Sequence, residues 1–324
     1  MSRSPLVLSL AAIAAAVISV ALPAGATPPG DNGKVIFERE TPDGSDLFTV
    51  DADGSGLSRL TSRPGTEGDA SWSGDGAKVA FSYAADPEKG PFEIWSVNAD
   101  GSQLTRLTRH RGFSIAPSWS PDGTKIVYAS DGGGGPEHGL DLYVMNADGS
   151  GKHRITKKRN REDSDPSWSS NGEKIAFAIL KPSDTPRGFD SSLASVDADG
   201  GGLRRLTEAG GPDELNPNWS PDSSEIAYER NRRFPVRQSD IALMNANGSG
   251  EHRITRTRVH ETNPSFSADG TRIAFTSDRD RRKLSTERTG RGFEVYTMAV
   301  DGSDIERLTN NRKPDLFPDW QPVP

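Results

Sequence analysis

The chain has 324 residues, of which 32% are hydrophobic and 7% aromatic, with 34 Gly and 23 Pro. That much Gly and Pro argues against a helix bundle, and the absence of Cys excludes disulfides, thiolate metal sites and cysteine nucleophiles. A net charge of −7, from 46 acidic and 39 basic residues, gives no general attraction to nucleic acid or anionic membrane.

The amino terminus carries an address. Arg3 precedes an uncharged apolar run from Leu6 to Leu22, then Pro23 and the small residues Ala24, Gly25 and Ala26. This order predicts a secretory signal peptide over residues 1–26, cleaved after Ala26, leaving a single domain over residues 27–324. The run is at the short limit for a bilayer span and ends at a proline, so no stable span is expected after cleavage. The expected location is secreted or periplasmic.

A repeat organises everything after Gly30. Trp72, Trp119, Trp168, Trp219, Phe266 and Trp320 recur at intervals of 47, 49, 51, 47 and 54 residues. A D/N-G turn at Gly54, Gly101, Gly149, Gly200, Gly248 and Gly302 moves with them. Two markers in step define one unit of about 50 residues, the size of a propeller blade.

In chain order each unit holds four β-like runs. The a run surrounds the Trp, as in Ser118-Trp119-Ser120, and ends in a turn such as Pro121-Asp122-Gly123. The b run is β-branched and aromatic, as in Lys125-Ile126-Val127-Tyr128. The c run alternates, as in Asp141-Leu142-Tyr143-Val144-Met145, and leads into Asn146-Ala147-Asp148-Gly149. The d run is Arg154-Ile155-Thr156 and its counterparts at Arg59, Arg106, Arg205, Arg253 and Arg307. Runs b, c and d occur six times from Val35 onward, but the sixth a run lies at the far end, around Trp320. The expectation is an all-β, six-bladed β-propeller closed by the carboxyl-terminal strand, which leaves no open edge.

The P-S-W-S-P-D-G, I-A-F, L-Y-V-M-N-A-D-G and R-L-T segments resemble the propeller repeat of the TolB family. They are also similar to the propeller domains of dipeptidyl-peptidase and prolyl-oligopeptidase relatives. The resemblance covers essentially all of residues 27–324. Thr27–Asp31 leaves no room for the α/β domain that precedes the TolB propeller, and the chain ends too soon after Pro322 for a hydrolase domain. The resemblance therefore implies a scaffold with protein partners in the cell envelope, not a reaction.

Residues that recur in every unit, the Trp, the d-run Arg and the D-G turn, are assigned to architecture. The Asp51-Ala52-Asp53-Gly54 type of segment is read as a hairpin turn, since no copy supplies the ligand pattern of a calcium loop. Function is expected where the units differ. Antiparallel order puts the b–c and d–a loops on one face, and these vary in length from Thr41–Ser45 to the insertion 278–291. That variable face is locally basic: Arg230, Arg232, Arg233 and Arg237 flank Phe234 in the fifth unit, and Arg279, Arg281, Arg282 and Lys283 fall in the sixth. His110 and His138 lie in loops of the same face. These eleven residues form the expected binding set for a protein, peptide or glycan partner. No catalytic residue, metal or cofactor is assigned, and a monomer without nucleic-acid partners is expected. The alternative is a carbohydrate-active enzyme, a polysaccharide lyase or hydrolase, in which His110 and His138 converge with carboxylates in the central funnel.

Overall fold

The computed structural model describes residues 29–88, 90–134, 138–157, 160–183, 189–231, 238–280 and 292–323. The expected signal peptide lies outside them. Among the described residues there are twenty-four strands and no α-helix, and no helix is long and apolar enough to cross a membrane. The first two repeats supply β1 (Asp31–Thr41), β2 (Gly44–Val50), β3 (Ser58–Arg59), β4 (Gly65–Trp72), β5 (Lys78–Ala84), β6 (Glu93–Asn98) and β7 (Thr105–Arg106). The third and fourth supply β8 (Ser114–Trp119), β9 (Lys125–Ser130), β10 (Asp141–Asn146), β11 (His153–Arg154), β12 (Glu162–Trp168), β13 (Lys174–Pro182), β14 (Phe189–Asp197) and β15 (Arg204–Arg205). The remainder are β16 (Glu214–Trp219), β17 (Glu225–Asn231), β18 (Ser239–Asn245), β19 (His252–Arg253), β20 (Glu261–Phe266), β21 (Arg272–Ser277), β22 (Glu294–Ala299), β23 (Glu306–Arg307) and β24 (Asp315–Val323).

The all-β propeller expectation stands, but the count of six blades is corrected. Four blades stand as separate four-stranded sheets, β8–β11, β12–β15, β16–β19 and β20–β23. The other eight strands form one sheet in the order β24-β1-β2-β4-β5-β6-β7, with β3 on β2. This sheet absorbs the first two repeats because β2 and β4 pair in parallel, Gly44 with Gly65 and Ser45 with Thr66. The cause is local. Gly44 has φ +133 and Gly65 φ +119, and a Cβ on Gly44 would run into the Gly65 carbonyl. At the other junctions the same two slots hold Pro91 and Gly112, Gly139 and Arg161, Asp190 and Pro212, Gln238 and Val259, and Gly292 and Lys313. Among the described residues only the first junction has glycine on both sides and only there does a parallel ladder form; three other junctions make a single backbone bond, Ser114 N to Phe92 O, Asp163 N to Leu140 O and Asp315 N to Phe293 O, at 2.8–2.9 Å.

The chain termini pair within this sheet. β24 lies antiparallel to β1, with Trp320 opposite Val35 and Asp315 opposite Arg39. The core lies between neighbouring units, and the Trp slot is its centre. Trp119 packs on Ala80, Ile94 and Leu107, and Trp320 packs on Ala274, Val295 and Leu308. Each large side chain thus caps the sheet of the preceding repeat. The D-G turn does the same at the periphery: Gly302, at φ +85, sits so close to the Ile254 carbonyl that no side chain fits.

The d run explains its own recurrence. Its Thr hydroxyl accepts from a c-strand amide in every repeat: Leu47 to Thr61, Ile94 to Thr108, Leu142 to Thr156, Leu193 to Thr207, Ile241 to Thr255 and Val295 to Thr309, at 2.8–3.0 Å. Its Arg pairs with the first acid of the c strand, Arg59 with Asp46, Arg106 with Glu93, Arg154 with Asp141, Arg253 with Asp240 and Arg307 with Glu294. In the fourth repeat Ser192 takes the acid's place and accepts from Arg205 at 2.7 Å.

Candidate functional site

The variable face is built on a second acid slot, five residues before the Trp. It holds Glu67, Ser114, Asp163, Glu214, Glu261 and Asp315, all buried. Burial of a carboxylate costs heavily unless a cation or hydrogen bonds compensate, and each repeat compensates differently. Arg39, on β1, grips Asp315 with two bonds of 2.6 and 2.7 Å while stacking on Phe37 and Phe48. Arg279, just after β21, reaches Glu261 at 2.6 Å and stacks on Phe275 and Tyr296. Arg161, just before β12, pairs with Asp163 at 2.7 Å. Arg63 stacks on Tyr83 and Trp95 at 4.4 and 4.2 Å and offsets part of the charge on Glu67. The sequence reading missed the acid slot, although it stands in register five residues before the Trp. Its cations share no such register, because they come from unrelated positions.

This geometry decides the standing of the sequence-predicted residues. Arg279 is committed to Glu261 and its aromatic pair. Arg230 pairs with Glu251 and lines a cavity of 210 Å³ with Pro212, Asn231, Asp240 and Arg253. Beside it, Glu214 is pushed up to about 7 by burial, with Arg230 only partly opposing, and its Oε2 has no hydrogen-bond partner. Arg232, Arg233, Phe234, Arg237, Arg281, Arg282 and Lys283 lie outside the described residues.

His110 and His138 come to the same loop: His110 lies against Gly133, and His138 against Gly134. His138 is exposed. His110 meets the slot residue Ser114 as Arg279 meets Glu261 three repeats later. Gly132 and Ser114 occupy the slots of Arg279 and Glu261, and the imidazole Nε2 meets Ser114 Oγ at 2.7 Å and Ser130 Oγ at 3.3 Å. The Gly112 amide donates to Nδ1 at 3.1 Å, which places the proton on Nε2. Nε2 therefore donates to Ser114, Ser114 donates to Ser130, and Ser130 donates to the Phe113 carbonyl at 2.7 Å. A histidine so arranged ties the loop to Ser114 and Ser130. Among the described residues no three His, Asp or Glu side chains are grouped as a metal ion requires.

Comparison with known proteins agrees with the fold. The TolB beta propeller domain family matches residues 84–233. An uncharacterized protein, Atu1656 of Agrobacterium fabrum, is 32% identical over 124 residues, 38% of this chain and 37% of its own. The Tol-Pal system protein TolB of Bordetella pertussis is 28% identical over 160 residues, 36% of this chain and 34% of its own. The chain thus spans little more than a third of the length of these relatives. The crystal structure of TolB from Acinetobacter baumannii superposes with a TM-score of 0.71 and 22% identity, over 91% of this chain and 68% of that one. At that identity the likeness is one of fold. With its repeats, its inter-unit Trp packing and these matches, the chain is an all-β propeller protein similar to TolB over part of its length and in fold.

Proposed function

We propose that the protein is exported by cleavage after Ala26 and works outside the cytoplasm as a non-catalytic scaffold, its variable face holding a protein or peptide partner of the cell envelope. The observation that carries this reading is the contrast between a frame repeated almost residue for residue and b–c connections that differ in every repeat. In sequence, Arg232, Arg233 and Arg237 fall between β17 and β18, and Arg281, Arg282 and Lys283 between β21 and β22. Arg230 and Arg279 are already paired, so capture of an acidic partner rests on these further cations, with Phe234 as apolar contact. The similarity to a Tol-Pal system protein supports an envelope partner.

The test is capture from envelope extract by the protein and by a variant with Arg232→Glu, Arg233→Glu, Arg281→Glu and Arg282→Glu. Exposed ion pairs are worth about 0–1 kcal/mol each, so binding should weaken as salt rises and disappear in the quadruple variant. A partner held equally by the variant, or indifferent to salt, refutes the reading.

A further inference from the structure

The junction between β2 and β4 is unlike the others in its parallel backbone pairing, while its serine-to-acid bond recurs where the Glu214 amide donates to Ser191 Oγ at 2.8 Å. Across the β2–β4 junction Gly65 N donates to Asp43 O at 3.1 Å, Ser45 Oγ donates to the Glu67 carbonyl at 2.7 Å, and the Glu67 amide donates back to Ser45 Oγ at 3.2 Å. With the Trp72 amide on Asp319 Oδ2 at 2.9 Å and Gln321 Nε2 on the Gly76 carbonyl at 2.8 Å, these bonds join the two halves of the eight-stranded sheet. Four acids crowd them. Glu67 is wholly buried; its carboxylate meets Thr61 Oγ1, while Oε1 has no partner. Asp46, on β2, has one oxygen on Arg59 at 2.5 Å and the other unpartnered. Glu38, on β1, lays its carboxyl over Gly68, where a Cβ would lie 2.5 Å from Oε2, and it faces Ser45, Asp69 and Glu67. Asp69 is buried among Ser82 and the Ala116 amide, and feels Asp165 of β12. Few cations stand nearby. Arg59 serves Asp46, Arg63 stacks on Tyr83 and Trp95, and Arg39 is taken by Asp315. Tyr83, opposite Glu67 on β5, gives its hydroxyl to the Pro64 carbonyl.

We infer that the β2–β4 junction is a proton-operated joint: it is closed while Glu38, Glu67 and Asp69 carry protons, and it parts when they ionise, while the β1–β24 closure stays paired. Desolvation is the physical cause. It pushes Glu67 and Asp69 up to about 7, and burial together with Asp69 pushes Glu38 up to about 8. Parting the joint hydrates the acids and returns them to the ordinary carboxyl range. A group whose proton is held more tightly when closed favours the closed form most fully at acid pH, and that preference is lost as pH rises through 7 to 8. The backbone ladder that resists this is two residue pairs long, and the Asp319–Trp72 bond and the packing of Ile36 and Leu47 against Trp72 and Val79 lie deeper in the sheet.

Amide hydrogen exchange of the whole protein reads the joint directly, with protection corrected for the intrinsic pH dependence of exchange. Between pH 5 and pH 8 the Gly65 and Glu67 amides should lose about tenfold or more in protection, the change expected when one such carboxyl shifts by a single pH unit between closed and open forms. The amides of β1 and β24 should not follow. Glu67→Gln and, separately, Glu38→Gln should blunt the loss. Equal protection of the joint at both pH values overturns the inference, as does an equal loss at β1 and β24, or an undiminished loss in the variants. Should Glu67→Gln fail to fold, Glu38→Gln alone carries the decision.

Discussion

Replacing Asp319 with Asn should stabilise the protein, and more at pH 8 than at pH 5. Asp319 sits one residue before Trp320, in a slot that holds Ser71, Ser118, Ser167, Asn218 and Ser265 in the other repeats. The slot links neighbours: Asn218 Oδ1 accepts from the Phe266 amide at 2.8 Å, and Asp319 Oδ2 accepts from the Trp72 amide at 2.9 Å. Asp319 Oδ1 also accepts from Ser265 Oγ at 3.0 Å. An amide keeps the acceptor that Trp72 needs, as Asn218 demonstrates within the same chain, and the Ser265 hydroxyl can turn to accept from Nδ2. The carboxyl, 2% exposed, is pushed from 3.8 up to about 7 by burial. Its contribution is therefore fully present below pH 3.8 and lost as pH rises through 7. At about 1.4 kcal/mol per pH unit, the loss is roughly 1.5 kcal/mol by pH 5 and about 4 kcal/mol by pH 8. Asn is indifferent to pH, so the gap in unfolding free energy between variant and wild type should widen by about 2.5 kcal/mol between the two pH values. The other buried acids are common to both proteins and cancel. Denaturant melts at pH 5 and pH 8 measure the gap; a constant gap, or a variant less stable than wild type at pH 8, refutes the reasoning.

Trp320→Ala should cost about 3–5 kcal/mol in a denaturant melt, since the indole is 1% exposed and fills the space between β24 and the last repeat. Arg39→Met should cost about 3–5 kcal/mol, read the same way, because it strands a fully buried Asp315 without its bidentate partner. Ser192→Asp restores the acid that the other five repeats pair with the d-strand Arg, and should gain at most about 1 kcal/mol, a gain that shrinks in high salt.

The periodic part of the molecule was legible because identical local environments impose identical residues. The Trp slot, the D-G turn and the Arg-x-Thr corner each answer to a contact made in every repeat, and strand order followed from them. The blade count failed at one place, for a reason that periodicity cannot carry: two glycines at Gly44 and Gly65 let the backbones pair as a parallel ladder at a single junction. The sequence reading missed the candidate site's acid slot, which its register could have revealed. The acid slot at Glu67, Asp163, Glu214, Glu261 and Asp315 repeats in register, yet its compensating groups at Arg39, Arg63, Arg161 and Arg279 share no register, so Arg279 read as a free surface cation. His110 read as a possible ligand for the same reason, its role being set by Gly132 and Ser114, which replace an arginine and a glutamate.

The independence of those compensating groups limits how the loops can be exchanged. A connection cut from one repeat and set into another would carry its cation but not the carboxylate beneath it. Moving the segment that bears Arg279 into the third repeat would place a guanidinium over Ser114 and displace His110 from its hydroxyls. Returning Gly132 to the sixth would leave Glu261 enclosed without a counter-charge. The frame is modular in shape and not in charge, and a graft between repeats succeeds only when the residue five places before the tryptophan travels with the loop.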